Sequence, residues 1–229
     1  MRVLAIAPHP NDETIGPGGS IALHTDAGHQ LTIGHLTNGE RGSRTVTADE
    51  LSRTRQAEAV RAAAVLGVPE TQVRFLGLPD GGINPYDTSQ FTAVIRLLRQ
   101  VRPDLLYVPH PHDGAFDHEA AFALCWRAAG MAGSSNFGDY GPPHWVPTVL
   151  GYEVWQPIAS PAYLCDITTV VDRKVTALEC YDSQAPAAKG AGQSSQVGPG
   201  GALLSAWRGV TTTGGHREAF AVLRLGALP

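Results

Sequence analysis

Two polar clusters stand where apolar runs end. Pro8-His9-Pro10-Asn11-Asp12-Glu13 follows the run Val3 to Ala7, and His110-Pro111-His112-Asp113-Gly114-Ala115-Phe116-Asp117-His118 follows Leu105 to Pro109. His9 and Asp12 lie three residues apart on a tight turn and can both face one ion; His118, in the first turn of a helical stretch, can reach the same point. Two imidazoles and one carboxylate leave a position open on a tetrahedral divalent ion, the arrangement of a catalytic zinc site rather than a structural one. Such an ion lowers the pKa of bound water to about 7 and polarises a carbonyl, which suits amide or ester hydrolysis. The same chemistry needs a general base beside the water and an acid for the departing amine.

For these residues to meet, the two apolar runs must be strands whose polar tips lie at the carboxyl edge of one sheet. Between them the chain alternates. A helix over Ser20 to Gly28 is followed by a strand from Gln30 to Thr37, whose tip is the polar run Asn38-Gly39-Glu40-Arg41-Gly42-Ser43. A helix from Asp49 to Leu66 leads to a strand from Val73 to Leu78 and the turn Pro79-Asp80-Gly81-Gly82. Phe91, Val94, Ile95, Leu98 and Val101 keep helical spacing until Pro103, and Asp117 suits the N-cap of a helix from His118 to Ala129. Strands alternating with helices predict an α/β fold with a mostly parallel sheet and helices on both faces, with ligands at the carboxyl ends of the strands. Further on, the pattern predicts a strand from Val149 to Gln156, a helix within Ile167 to Ser183, a flexible segment from Lys189 to Gly201 and a last element from Glu218 to Leu225. The long loop Gly133 to Pro147, with Asn136, Phe137, Tyr140, His144 and Trp145, reads as a lid that selects the substrate.

Composition narrows the function. With 229 residues, 43% of them hydrophobic and 17% charged, the chain suits one domain over 1–229. A net charge of -4 gives no footprint for nucleic acid. No run approaches the roughly 18 apolar residues of a membrane span, so a small-molecule substrate is the expected partner. Cys125, Cys165 and Cys180 are odd in number and far apart, as buried free thiols of a reducing compartment would be. No tripartite leader follows Met1, so the cytoplasm is the expected location. Lysine occurs only at 174 and 189 in a chain rich in Arg, Ala, Gly and Pro, a bias of GC-rich bacterial genomes. Small α/β enzymes are often symmetric homo-oligomers.

Taken together, the motifs resemble those of the zinc-dependent N-deacetylases, the family of the phosphatidylinositol N-acetylglucosamine deacetylases (PIG-L) and the bacterial LmbE-like enzymes. The resemblance runs over nearly the whole chain: Pro8-His9-Pro10-Asn11-Asp12-Glu13, Thr37-Asn38-Gly39-Glu40, Leu76-Gly77-Leu78-Pro79-Asp80-Gly81, Asp117-His118, Tyr181-Asp182-Ser183-Gln184 and Glu218-Ala219-Phe220. It implies a Rossmann-like fold and a zinc ion, or another divalent metal, on His9, Asp12 and His118. It also implies removal of an acyl group from an amine, usually on an N-acetylglucosamine-type sugar. Arg55 and Asp80 match residues used around the sugar, and Glu40 an acidic residue near the pocket. On residue type alone Arg55 can equally pair with Glu58, Asp80 cap a turn and Glu40 be solvated.

Two positions depart from the family. Asn11 stands where an aspartate usually serves as the base, and an amide can orient water but cannot take its proton. Ala115 stands where a histidine usually pairs with the following aspartate, which leaves Asp117 to orient a neighbouring ring or to cap the helix. His110, His112 and Asp113, on the same loop, are the candidates to replace the missing acid. The expected activity is therefore hydrolytic, with Asn11, His112, Asp113 and Asp117 as its catalytic candidates. The alternative is metal-assisted, non-hydrolytic carbonyl chemistry, or metal-dependent ligand binding without turnover.

Overall fold

The computed structural model describes residues 1–43, 45–184, 197–212 and 214–226. Its elements run in the order β1 (Arg2–Ala7), α1 (Asp12–Ile15), α2 (Gly18–Asp26), β2 (Gln30–His35), α3 (Ala48–Val65), β3 (Val73–Phe75), α4 (Thr88–Val101), β4 (Leu105–Pro109), α5 (Phe116–Met131), β5 (Thr148–Tyr152), β6 (Tyr163–Asp166), α6 (Val171–Glu179), α7 (Val197–Val210) and β7 (Arg217–Arg224).

They build one seven-stranded sheet in the order β3-β2-β1-β4-β5-β7-β6. The first five strands are parallel, while β7 runs antiparallel to both β5 and β6. The α/β reading thus holds, with an antiparallel edge on a parallel sheet. Side chains of β1 alternate between two cores. Val3 and Ala5 pack with residues of α2, α3 and α6, whereas Leu4 and Ile6 pack with residues of α4 and α5. A strand buried on both faces has to read as an unbroken apolar run, and Val3 to Ala7 does.

Because β1 lies between β2 and β4, the chain's winding reverses there. The loops after β1 and β4 leave the carboxyl edge of the sheet side by side, the usual place for a ligand in such sheets. Glu218, from the last strand, fixes the start of α2: its carboxylate accepts N–H bonds from Gly19 (2.7 Å) and Ser20 (2.8 Å) and meets Lys174 Nζ at 2.6 Å. A buried carboxylate on the positive end of a helix, paired with an ammonium, is favourable where either ion alone would not be.

Several elements differ from the sequence pattern. The long loop before β5 is not beside the strand tips: His144 Nε2 donates to Pro103 O (2.8 Å) and His144 N to Ala132 O (2.9 Å), so the loop lies at the amino edge of β4. The topology requires this, since α5 starts at the carboxyl edge and returns antiparallel to β4. The buried Arg99 pins the loop further, donating to the carbonyls of Ala132, Ser134, Phe137 and Gly141. A substrate lid there is ruled out. Residues 153–156, expected in a strand, form a loop instead. The segment expected to be flexible lies mostly outside the described residues, but from Val197 the backbone is helical. Cys125 is buried, while Cys165 and Cys180 are partly exposed. No helix among the described residues is long and apolar enough to cross a membrane.

Candidate metal centre

The turn after β1 brings His9 and Asp12 together through the backbone as well as the side chains. His9 N donates to Asp12 Oδ2 at 2.9 Å, and His9 Nδ1 lies 3.2 Å from the same oxygen. His118, in the first turn of α5, reaches that oxygen from the neighbouring strand tip, with Nε2 at 3.3 Å. The three donor atoms lie within 4.8 Å of one another, close enough to share one ion. His118 Nε2 is buried without a hydrogen-bond partner. A buried imidazole nitrogen left open beside a carboxylate is what a divalent cation would complete.

His9 also faces a second group. Its Nε2 lies 3.2 Å from Asp117 Oδ2 and 3.2 Å from Asp80 Oδ1, a set that could hold an ion as well. A neutral imidazole has one lone pair, so only one of its faces can ligate. The Nδ1 face is the better one, because it gathers a second imidazole. On the Nε2 face the carboxylates are already engaged: Asp117 accepts from Gly81 N (2.7 Å) and Asp80 from Arg41 N (2.8 Å). The proton on Nε2 then points at the Asp80 and Asp117 oxygens and fixes the ring.

Asp113 does the same for His118. Its Oδ2 lies 2.6 Å from His118 Nδ1, off the axis of a straight hydrogen bond, and its Oδ1 accepts from the backbone N–H groups of Val154, Trp155 and Gln156. Both imidazoles thus carry a carboxylate on the nitrogen away from the candidate ion. Outer carboxylates of this kind set the tautomer and raise ligand basicity. The charges are visible in the ionisation of the rings. Burial would push both imidazoles down, yet Asp117, Asp12 and Asp80 hold His9 well above the ordinary histidine range, and Asp12 and Asp113 push His118 up to about 9. Burial likewise opposes the Asp12 charge, but His118 and His9 keep it well below the usual carboxylate range.

A third layer supports the turn. Asn11 has φ 126°, a conformation costly for a residue with a side chain. Glu13 holds it there: Oε2 accepts from Asn11 N (3.1 Å) and lies 3.0 Å from His35 Nε2, while Oε1 accepts from Thr14 Oγ1 (2.7 Å) and from the Tyr181 hydroxyl. Ser183 in turn binds Glu58 of α3. The Tyr181-Asp182-Ser183-Gln184 motif therefore buttresses the His9–Glu13 turn from behind. Nothing in the spacing of Glu13, His35 and Tyr181 marks them as one network; the carboxylate at a strand tip is the only local signal.

The remaining candidates fall around this centre. Arg55 is 4% exposed and donates to Gly39 O and Pro10 O, bracing both polar tips from below; it makes no ion pair with Glu58. Glu40 Oε1 accepts from Asp80 N at 2.9 Å, while its Oε2 is buried without a partner. Asn11 is 5% exposed, and among the described residues only its backbone takes part in hydrogen bonds. Asp117 does not cap α5, whose N-cap is Ala115; its carboxylate instead accepts from Gly81 and Ile83 and contacts His9. Gly81 can present its N–H there because it sits at φ 72°. The His112 side chain is exposed on the loop, whereas His110 Nε2 is turned inward to Gln156 O at 2.7 Å.

Comparison with known proteins places this arrangement. The chain is 32% identical over 195 residues to a diacetylchitobiose deacetylase of Thermococcus kodakarensis, covering 81% of this chain and 70% of that one. It is 27% identical over 194 residues to a 4-oxalmesaconate hydratase of Pseudomonas putida, covering 79% and 73%. In structure it is similar to a conserved protein of Thermus thermophilus, with a TM-score of 0.82, 29% identity and coverage of 100% and 97%. Residues 4–129, which carry the first polar turn, Arg55, Asp80 and His118, match the PIG-L family described as GlcNAc-PI de-N-acetylase, and the chain belongs to that family.

Proposed function

We propose that the protein is a zinc-dependent N-deacetylase of small N-acylated amino sugars. The observation that carries this reading is the convergence of His9, Asp12 and His118 on one point at the sheet's switch point, with His118 Nε2 left open. Two nitrogen donors and one carboxylate suit zinc, and each ring's outer carboxylate suits a resident ion rather than a passing one. Held by His9, Asp12 and His118, such an ion would supply Lewis acidity toward an acyl oxygen and a water.

The chain's own residues supply the rest. Asn11, fixed at a strained φ with its carboxamide uncommitted, orients the water or the acyl group but takes no proton. Asp117 orients the His9 ring from its outer nitrogen, and His112, exposed on the neighbouring loop, is the imidazole assigned to the departing amine. Asp113 holds His118 in place. Asp80 and Glu40 face the substrate's hydroxyls, while Arg55 acts on them by bracing the loops that carry Glu40 and Asn11.

The hydratase among the relatives, together with Asn11, favours a second reading: metal-assisted addition of water without amide cleavage. The charge of the site argues against a polycarboxylate substrate, since Asp80, Asp117, Glu40 and Asp12 surround it and the buried Arg55 is engaged with carbonyls. A neutral sugar that leaves as an ammonium ion meets no such repulsion.

The test is Asn11→Asp, assayed with zinc on a panel of N-acetyl sugars and N-acyl amines. Restoring a base beside the attacking water should raise amide hydrolysis about 10²- to 10⁴-fold. If wild type and variant both fail to hydrolyse any of them while a ligand still binds only with metal present, the deacetylase reading falls, in favour of metal-assisted binding or non-hydrolytic carbonyl chemistry.

A further inference from the structure

Trp155 is 59% exposed, although a tryptophan has more apolar surface to hide than any other side chain. The backbone that presents it is, by contrast, firmly fixed. Asp113 Oδ1 takes the N–H groups of Val154 (3.1 Å), Trp155 (3.0 Å) and Gln156 (3.2 Å), and His110 Nε2 reaches Gln156 O at 2.7 Å. On the far side the buried Glu153 accepts from Ile158 N (2.6 Å) and pairs with Arg208, which also donates to Ile158 O (2.6 Å). A loop held by two buried carboxylates and an arginine does not leave its one large ring in water by slackness.

The ring's place gives it a use. Its centroid is 6.5 Å from that of His118, at an interplanar angle of 59°. Phe116, two residues before His118, is 75% exposed, and its loop abuts the tryptophan's loop, since a Cβ on Gly114 would lie 3.8 Å from Gln156 Cβ. The carboxylates of Asp80 and Asp117 stand on His9, whose ring centroid is 5.4 Å from that of His118. An apolar ring beside one imidazole and acceptors beside the other are complementary to a pyranose, which has a C–H face and a hydroxyl edge. An acyclic amide or a polycarboxylate has no such face.

The geometry points to Trp155 as a fixed stacking platform for the sugar ring of the substrate, the residue that makes the site prefer an N-acyl amino sugar to an acyclic N-acyl amine. This rests on the deacetylase reading for the reaction, but not for the binding. Because the loop is ordered beforehand, stacking costs little conformational entropy, and a ring–ring contact of this type is worth a few-fold to about tenfold in affinity.

Calorimetric titration of the zinc-loaded protein with N-acetylglucosamine and separately with N-acetylethanolamine tests it in wild type, Trp155→Phe and Trp155→Ala. Trp155→Ala should weaken sugar binding about 3- to 10-fold, Trp155→Phe should restore much of it, and the acyclic amide should be unaffected. For any sugar that turns over, KM should rise with kcat nearly unchanged. Equal sugar affinity in Trp155→Ala, or an equal loss for the acyclic amide, would overturn the platform. Sugar binding that depends on Trp155 without any hydrolysis would instead support the platform and count against the deacetylase reading.

Discussion

Two histidine clusters sit toward opposite ends of the same sheet and behave in opposite ways. At the carboxyl edge, His9 and His118 are surrounded by Asp12, Asp80, Asp113 and Asp117, which raise both imidazoles despite burial. Toward the amino edge, His24 Nδ1 lies 2.9 Å from His29 Nδ1 and its Nε2 lies 3.0 Å from the Tyr107 hydroxyl. With no carboxylate among those partners, burial and the neighbouring His29 hold His24 down at about 4. In one cluster each ring has a carboxylate on its outer nitrogen and turns its inner nitrogen toward the shared Asp12 oxygen. In the other, the two rings and the phenol satisfy each other with a single shared hydrogen between the imidazoles. Proximity of histidines alone therefore does not mark a candidate metal centre; a shared carboxylate between the rings and a carboxylate behind each of them do.

The largest effect expected from this contrast is at His118. His118→Ala should lower the zinc content of purified protein by about one equivalent, as a three-ligand site requires. It should also reduce hydrolysis to background, whereas His24→Ala should alter neither. Elemental analysis of the two variants side by side decides it, and equal zinc in His118→Ala and wild type would break the comparison.

A smaller effect is expected at Asp113. Asp113→Asn keeps an oxygen for the backbone of Val154 to Gln156 but removes the charge behind His118 Nδ1. Zinc affinity, measured by competition with a chelator, should fall about 10- to 100-fold, the usual weight of an outer carboxylate. Unchanged affinity would reduce Asp113 to a loop fastener.

The smallest effect concerns pH and the amino-edge cluster. His24 is bound less readily by protons in the folded chain, near 4, than in the unfolded one, near 6.5. Its neutral form thus contributes stability that is fully present above pH 6.5 and is lost as pH falls toward 4. Discounted for partial exposure, the loss is on the order of 1–2 kcal/mol. His24→Gln should flatten the fall in Tm over that window by a few degrees, as thermal scans between pH 7 and pH 4 would record. A slope identical to that of wild type would show that His24 titrates normally.

Much of the fold was legible because its determinants are local. The doubly buried β1 and β4 are continuous apolar runs, their tips are polar, and the alternation of strands and helices left parallel pairing as the economical topology. Where local pattern failed, a longer-range contact had intervened. The chain bends away after Tyr152 because Asp113 collects three successive N–H groups there, a demand invisible in the apolar alternation of residues 149–156. Asp117 leaves the helix cap to Ala115 because Gly81, 36 residues earlier, offers it a backbone N–H beside His9. The loop after α5 looked like a lid by composition alone, and composition carries no information about which edge of the sheet a loop occupies.

By itself, then, the sequence determined which residues could ligate an ion and that they stand at strand tips, because residue chemistry and hydrophobic period are properties of a few neighbouring positions. The tertiary structure decided how each would be used. Asp12 and His118 share a point only because β1 and β4 are adjacent and in parallel register. Asp117 meets His9 across 108 residues, Tyr181 meets Glu13 across 168, and Glu218 closes the start of α2 across 199. Contacts over such separations depend on packing that brings distant segments to within an ångström or so of a required distance, and no local pattern encodes that.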